Sequence, residues 1–122
     1  NISGKRLIII DDSIVRGTTM RRIISMLRKA GASEVHVRIC SPKIVHPCRL
    51  GIDFQSYSQL IGANRTEEEI SELIGADSVR YLPAELLVQS CKECRLGFCL
   101  GCFTGEGPYK ADGAEADKLK LE

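Results

Sequence analysis

The sequence predicts an α/β domain built on a parallel sheet, and three observations carry that prediction. Leu7-Ile8-Ile9-Ile10 is an unbroken apolar run, the form expected of a strand covered on both faces. Met20, Ile23, Ile24 and Leu27 then recur at i, i+3, i+4 and i+7, the stripe of an amphipathic helix. Val35, Val37 and Ile39 alternate with His36, Arg38 and Cys40 in a second strand with one less apolar face. Strand, helix and strand within roughly thirty-five residues make a right-handed βαβ unit.

Each element carries its own punctuation. The first strand runs from Arg6 to Ile10 and ends at Asp11-Asp12. Ser13 to Gly17 is a loop, and Gly17-Thr18-Thr19 opens the helix, whose wet side carries Arg21, Arg22, Ser25, Arg28 and Lys29. Gly31 is placed to end that helix, because glycine tolerates the left-handed conformation found there. Glu34 to Ser41 is the second strand, and Pro42 and Pro47 impose an irregular stretch through Phe54. Ser58 to Ala63 reads as a short helix. Thr66 and Glu69 form a capping box ahead of a helix with Ile70, Leu73 and Ile74 inside, stopping at Gly75. Ser78 to Leu82 is a third short strand and Ala84 to Gln89 a helical turn or two. Coil rich in Gly and Cys follows from Cys91 to Gly107. The charged tail, Lys110 to Glu122, reads as frayed.

A chain of 122 residues is one domain or part of one. Its 17 basic and 16 acidic residues nearly balance, which argues against a nucleic-acid surface or a membrane-attracted one. No apolar run approaches the length of a membrane span, and no charged-then-apolar leader is present. A soluble, cytoplasmic protein is expected. Asn1 to Arg6 lead almost at once into a strand that should have neighbours on both sides, so a piece of a longer protein is expected.

The first loop suggests chemistry. It leaves the carboxyl end of a parallel strand and enters a helix, the edge at which α/β sheets bind ligands. Its backbone N–H groups and the helix start behind them suit an anion. Gly17 lets the backbone approach closely, Ser13, Thr18 and Thr19 add hydroxyl donors, and Arg16 adds charge. Asp11 and Asp12 repel a phosphate but suit a neighbouring diol or a Mg²⁺ ion. Successive strand residues face opposite ways, so both acids reach one ligand only if the chain is already turning. The combined target is a phosphorylated sugar with free hydroxyls. The plain alternative is a pair of acids near a helix dipole, which the Gly-Thr-Thr sequence makes less apt.

Six cysteines, Cys40, Cys48, Cys91, Cys94, Cys99 and Cys102, are many for such a chain, and four fall within twelve residues. In a reducing compartment clustered thiols suggest metal or iron–sulfur ligation before disulfides. Cys91, Cys94, Cys99 and Cys102 offer a local site for zinc or iron–sulfur, although four residues between the pairs is far shorter than a zinc-ribbon spacer. Reduced thiols without metal remain the alternative. Cys40, on a strand, reads as a core residue. His36 and His46 read as structural, the second as shaping the loop before Pro47-Cys48.

The apolar run, Asp11-Asp12 and Gly17-Thr18-Thr19 resemble the phosphoribosyl-pyrophosphate (PRPP) motif of type I phosphoribosyltransferases. The longer text from Ile10 to Thr19 is similar to the glutamine PRPP amidotransferase family. So are Gly31 to Arg38, Ser41-Pro42, His46-Pro47-Cys48, Gly51-Ile52-Asp53, Ile74 to Asp77 and Cys99-Leu-Gly-Cys-Phe-Thr-Gly105. The resemblance covers roughly residues 4 to 108. It implies the C-terminal half of a Rossmann-like phosphoribosyltransferase domain over residues 1–90. A Cys-rich cluster-binding segment would follow over 91–107, with a charged flexible tail over 108–122. It implies the first committed step of purine synthesis, in which ammonia from glutamine displaces pyrophosphate from PRPP to give 5-phosphoribosylamine.

By the same resemblance, Asp11 and Asp12 take the ribose hydroxyls and Mg²⁺. Ser13, Ile14, Val15, Arg16, Gly17, Thr18 and Thr19 take the 5′-phosphate, largely through backbone and hydroxyl groups. Cys48, Cys99 and Cys102 bind a structural [4Fe–4S] cluster whose fourth ligand lies outside the chain. No catalytic residue falls in this piece, and the isolated chain should be inactive, since the glutaminase and the pyrophosphate-gripping parts lie upstream. Purine nucleotides are the implied inhibitors and a homotetramer the implied assembly. The chain departs from the family at Arg49-Leu50, where an aromatic pair is usual, and at Lys43, where a second proline is common. The alternatives are another type I phosphoribosyltransferase acting on a nucleobase, and a PRPP-sensing regulator. The latter needs a basic nucleic-acid surface that the charge balance does not support.

Overall fold

In a computed structural model, which describes residues 1–48, 50, 56–93 and 97–107, three strands form one parallel sheet. Strand β1 (Arg6–Asp11) pairs with β2 (Glu34–Ile39), and β2 pairs with β3 (Ser78–Tyr81). Helix α1 (Thr18–Lys29) joins the first two strands, and α2 (Glu67–Ile74) precedes the third. Two short helices follow, α3 (Ala84–Ser90) and α4 (Gly101–Thr104).

The sheet and helix faces are joined by one main core. Val35, Val37 and Val79 are fully buried on the sheet, against Met20 and Ile24 of α1 and Ile70 and Ile74 of α2. Burying each such side chain is worth about 1.5–3 kcal/mol. Helix α1 packs on β2, α2 on β3, and the two helices on each other. The start of β2 is tied to the end of α1 by Asp77. Its carboxylate accepts the Val35 N–H at 2.6 Å and pairs with Arg28 in the last turn of α1. The Val35 amide first, then the Arg28 guanidinium, holds the Asp77 carboxyl below its ordinary range.

The two described edges of the sheet differ. At β3, the Tyr81 N–H donates to Glu67 Oε1 at 3.0 Å, and Arg80 pairs with Glu67 and Glu68. Burial, with Glu67 nearby, pushes the Tyr81 phenol up to about 12. Strand β1 has a partner on its β2 side alone among the described residues.

Several expectations change. Among the described residues the run Leu7 to Ile10 is covered on one face: Ile8 is 66% and Ile10 71% exposed, while Leu7 and Ile9 pack on the core. Both helices that contact the sheet pack on one face, so alternate residues of β1 look outward. Cys40 is exposed, not a core residue, because β2 ends at Ile39 and the next position alternates to that open face. Ile23 and Leu73 are exposed members of their helical stripes, at margins the neighbouring elements do not reach. Ser71 is buried in α2 instead, its hydroxyl donating to the Glu68 carbonyl at 2.8 Å. In place of a helix over Ser58 to Ala63 there is a 3-10 turn, Tyr57–Gln59, followed by turns ending at Asn64 in the left-handed conformation (φ 55°). The expected coil before Gly107 contains α4, closed by Gly105 at φ 80°. The tail 108–122 and the segment around Gly51 to Asp53 lie outside the described residues.

Candidate functional site

The two main helices begin in opposite ways. Helix α2 starts with the expected capping box: Thr66 Oγ1 accepts the Glu69 N–H at 3.2 Å, and Glu69 Oε2 accepts the Thr66 N–H at 2.7 Å. Glu67, Glu68 and Glu69 all lie in its first turn. Their charge favours that end of the helix dipole. Helix α1 starts at Gly17, in the left-handed conformation (φ 77°), with no side-chain cap and no acid in its first turn. Thr18 and Thr19 are exposed there. The first N–H groups of a helix have no partner within it, and left uncapped they bind anions.

The acids stand just upstream. Strand β1 ends at Asp11, so the chain is turning at Asp12, and the two carboxylates are not forced to opposite faces. Asp11 Oδ1 accepts the Asp12 N–H at 3.0 Å, and Asp12 Oδ1 accepts the Ser13 hydroxyl at 2.9 Å. Neither carboxylate forms an ion pair with a cation among the described residues. Two carboxylates with oxygen lone pairs to spare suit hydroxyls or a hard divalent cation. Ile14 and Val15 point inward, Ile14 into the main core and Val15 against a second, smaller one. They offer a ligand their backbone. Arg16 Nη2 donates to Gln59 Oε1 at 3.2 Å.

The second core, Ile44, Leu60 and Ala63, carries Val15, Cys48, Cys102 and Phe103 on its margin. The carbonyl of Cys102 accepts the N–H groups of Val45 (2.9 Å) and His46 (3.0 Å), which docks α4 on the loop before Cys48. His46 shares a 3.0 Å hydrogen bond with the Tyr57 hydroxyl and packs edge-on against its ring. Gly105 lies against the other side of His46, where a Cβ would come within 2.9 Å of Nε2. His46 thus shapes the loop, and His36, bonded to Ser78 and Glu34 at 2.8 Å each, is a structural residue of the sheet.

Cys48, Cys99 and Cys102 share one neighbourhood. Burial chiefly, and then Cys48 and Cys99, push the Cys102 thiol up. Backbone N–H groups reach two of the sulfurs, Leu50 to Cys48 and Gly101 to Cys99, each at 3.4 Å. The donor set is soft sulfur, as an iron–sulfur cluster requires. Among the described residues, however, no three His, Cys, Asp or Glu side chains close into a metal-holding group. Cys91 ends α3, its sulfur 3.8 Å from the Ser90 hydroxyl, and Cys94 lies outside the described residues. All five described cysteines are free thiols.

Gln59, Ile61, Tyr57 and Gly105 were not among the expected site residues. Their roles come from contacts across long stretches of chain, and an apolar run such as Leu60-Ile61 announces burial without naming what it is buried against.

No protein-family model matches the chain. Among curated proteins it is 54% identical over 111 residues to an amidophosphoribosyltransferase of Methanocaldococcus jannaschii, covering 91% of this chain and 23% of that one. It is 48% identical over 122 residues to that of Synechococcus elongatus, covering 99% and 25%. Among solved structures it superposes with a TM-score of 0.78, at 49% identity, on a glutamine PRPP amidotransferase from B. subtilis complexed with ADP and GMP, covering 88% of this chain and 24% of that one. The chain therefore spans about a quarter of the length of the relatives it matches. At this identity, and with this superposition, the 122 residues are homologous to the C-terminal part of the amidophosphoribosyltransferases, within their phosphoribosyltransferase domain.

Proposed function

We propose that this chain binds the ribose 5-phosphate portion of PRPP within a longer enzyme that makes 5-phosphoribosylamine for purine synthesis. The observation that carries the reading is the pairing of an uncapped, acid-free helix start at Gly17 with two carboxylates at Asp11 and Asp12. A phosphate takes the amides and hydroxyls of Ser13 to Thr19, and the ribose hydroxyls take the carboxylates. Mg²⁺ is bound through one or two carboxylates plus substrate phosphates, so Asp11 and Asp12 would hold it beside the substrate. In the reaction, the nitrogen of ammonia bonds to C1 of the ribose as the C1–O bond to pyrophosphate breaks. The carbon passes through oxocarbenium-like character. The chain's part is to hold the sugar in line for that exchange. Ammonia comes from glutamine in a separate domain, and this piece of the enzyme contributes no catalytic residue.

Cys48, Cys99 and Cys102 supply three of four thiolates for a structural [4Fe–4S] cluster, the fourth coming from elsewhere. Their shared neighbourhood and soft donors support this assignment. It extends to a reducing cytoplasmic setting, consistent with five free thiols. Purine nucleotides regulate the enzyme, as the nucleotides on the B. subtilis relative suggest, and it assembles as a homotetramer. The outer edge of β1, which has no strand partner among the described residues, supports the further reading that the isolated 122 residues have no transferase activity.

The test is pyrophosphate release by the full-length protein, with PRPP and ammonia and no nucleobase. A requirement for a base would move the chain to a nucleobase phosphoribosyltransferase, and binding without turnover would make it a sensor. Asp12→Ala is expected to weaken PRPP binding by about 1.5–3 kcal/mol, the worth of a charge-assisted hydrogen bond. Unchanged PRPP and Mg²⁺ affinity in that variant would sink the assignment. Iron and sulfide analysis of the anaerobically purified protein tests the cluster.

A further inference from the structure

The loop between β1 and α1 is held partly by its own groups and partly by a distant segment. The Asp12 amide and the Ser13 hydroxyl bond within the acid pair, and Gly17 O accepts the first helical N–H from Arg21 at 2.9 Å. Between these, Val15, Arg16 and Gly17 each meet the segment 59–61. The Ile61 N–H donates to the Val15 carbonyl at 2.8 Å. Gln59 Oε1 accepts from Arg16 Nη2 at 3.2 Å. A Cβ on Gly17 would lie 2.6 Å from Ile61 Cδ1, so the Ile61 side chain walls the face of that residue.

The two segments are also matched residue by residue to the two cores. Ile14 and Ile61 enter the main core, whereas Val15 and Leu60 meet at the smaller one. Ile61 is 8% exposed and holds the loop through one backbone bond and one side-chain wall. A binding loop that must aim several amides at one anion gains affinity from being held in that shape beforehand. A displacement of about 1 Å is enough to cost much of it.

We infer that Ile61, backed by Gln59, is the positioning residue of the loop from Asp12 to Gly17 and sets its affinity for the phosphate-bearing ligand. This rests on the reading of that loop as a sugar-phosphate site. Ile61 acts through Val15 and Gly17, and Gln59 acts through Arg16.

The experiment compares Ile61→Ala, Ile61→Val and Gln59→Ala with the wild type in the full-length protein. Ribose 5-phosphate is the binding probe, PRPP the kinetic substrate, and the melting temperature is the control. Ile61→Ala is expected to raise the Kd for ribose 5-phosphate and the KM for PRPP about tenfold, with kcat within about twofold. Ile61→Val keeps the backbone bond and loses the methyl that faces Gly17, so about threefold is expected. Gln59 is exposed, so its replacement is expected to cost about threefold in affinity with an unchanged melting temperature. If Ile61→Ala does not fold, the other two variants decide. A lowered melting temperature with unchanged ribose 5-phosphate affinity would make Ile61 merely structural and overturn the inference. Should the wild type bind inorganic phosphate but not ribose 5-phosphate, the sugar reading fails and the same variants are judged with phosphate. If it binds neither, both readings fall.

Discussion

Helices α1 and α2 lie side by side on one sheet, yet one start is closed and the other open. At α2, Thr66 and Glu69 satisfy each other's backbone groups, and three glutamates meet the positive end of the dipole. At α1, Gly17 contributes no side chain and the first turn holds no acid. The α2 start closes on itself, its capping box satisfying two backbone N–H groups and adding stability. The α1 start has a glycine cap, which costs roughly a few tenths of a kcal/mol against Ser or Thr, and in the proposed reading its open donors take an anion. In that reading, the missing side-chain cap on α1, beside a neighbour with a complete capping box, leaves donors open where a phosphate would bind.

Four substitutions test that contrast, in falling order of expected effect. Gly17→Ala forces a Cβ into a left-handed residue and against Ile61 Cδ1. It should cost about 1.5–3 kcal/mol of stability in chemical denaturation, since the left-handed conformation alone costs about 1–2 and the Ile61 side chain must also give way. Phosphate affinity should fall with it. Retained stability would show that the loop can relax.

Asp77→Ala acts at the far end of α1, where Val35 would lose its acceptor and Arg28 its partner. It should cost about 1–2 kcal/mol at neutral pH with ligand affinity unchanged. Because the folded carboxyl titrates below its ordinary range, its contribution is fully present above that range. It is lost as pH falls through the depressed value. The wild type and the variant should therefore converge in stability in strong acid, which denaturation at a series of pH values will show.

Thr66→Ala removes half of the α2 capping box and should cost about 1 kcal/mol, leaving anion affinity untouched. A drop in affinity would mean that the two helix starts are coupled. Thr19→Glu gives α1 what α2 already has. The added charge should stabilise the helix by about 0.3–1 kcal/mol while repelling a phosphate. A variant that melts higher and binds more weakly would establish a trade between stability and binding.

The parallel sheet, the helix α1, the capping box at Thr66 and the glycine stops at Gly31 and Gly75 were all legible in the sequence. Each depends on residues within a few positions of one another. The loop from Asp11 to Thr19 was legible for the same reason, since one continuous stretch supplies acids, turn, glycine and helix start. The cysteines were less so. Cys99 and Cys102 are neighbours in sequence, but Cys48 joins them only because Val45 and His46 bond to the Cys102 carbonyl. The expected core placement of Cys40 failed because alternation tells which residues share a face without telling which face is covered.

What the sequence alone determined, then, is the order of elements and the local form of the first loop, because periodicity, capping and turn formation act over one or two helical turns. The tertiary structure alone decided that Ile8 and Ile10 face outward, that Leu60 and Ile61 divide between two cores, and that Ile61 grips Val15 from forty-six positions away. Those outcomes depend on which surfaces meet when the chain closes on itself. The open start of α1 belongs to both levels: Gly17 is written in the sequence, but the wall that holds it in shape comes from a distant turn.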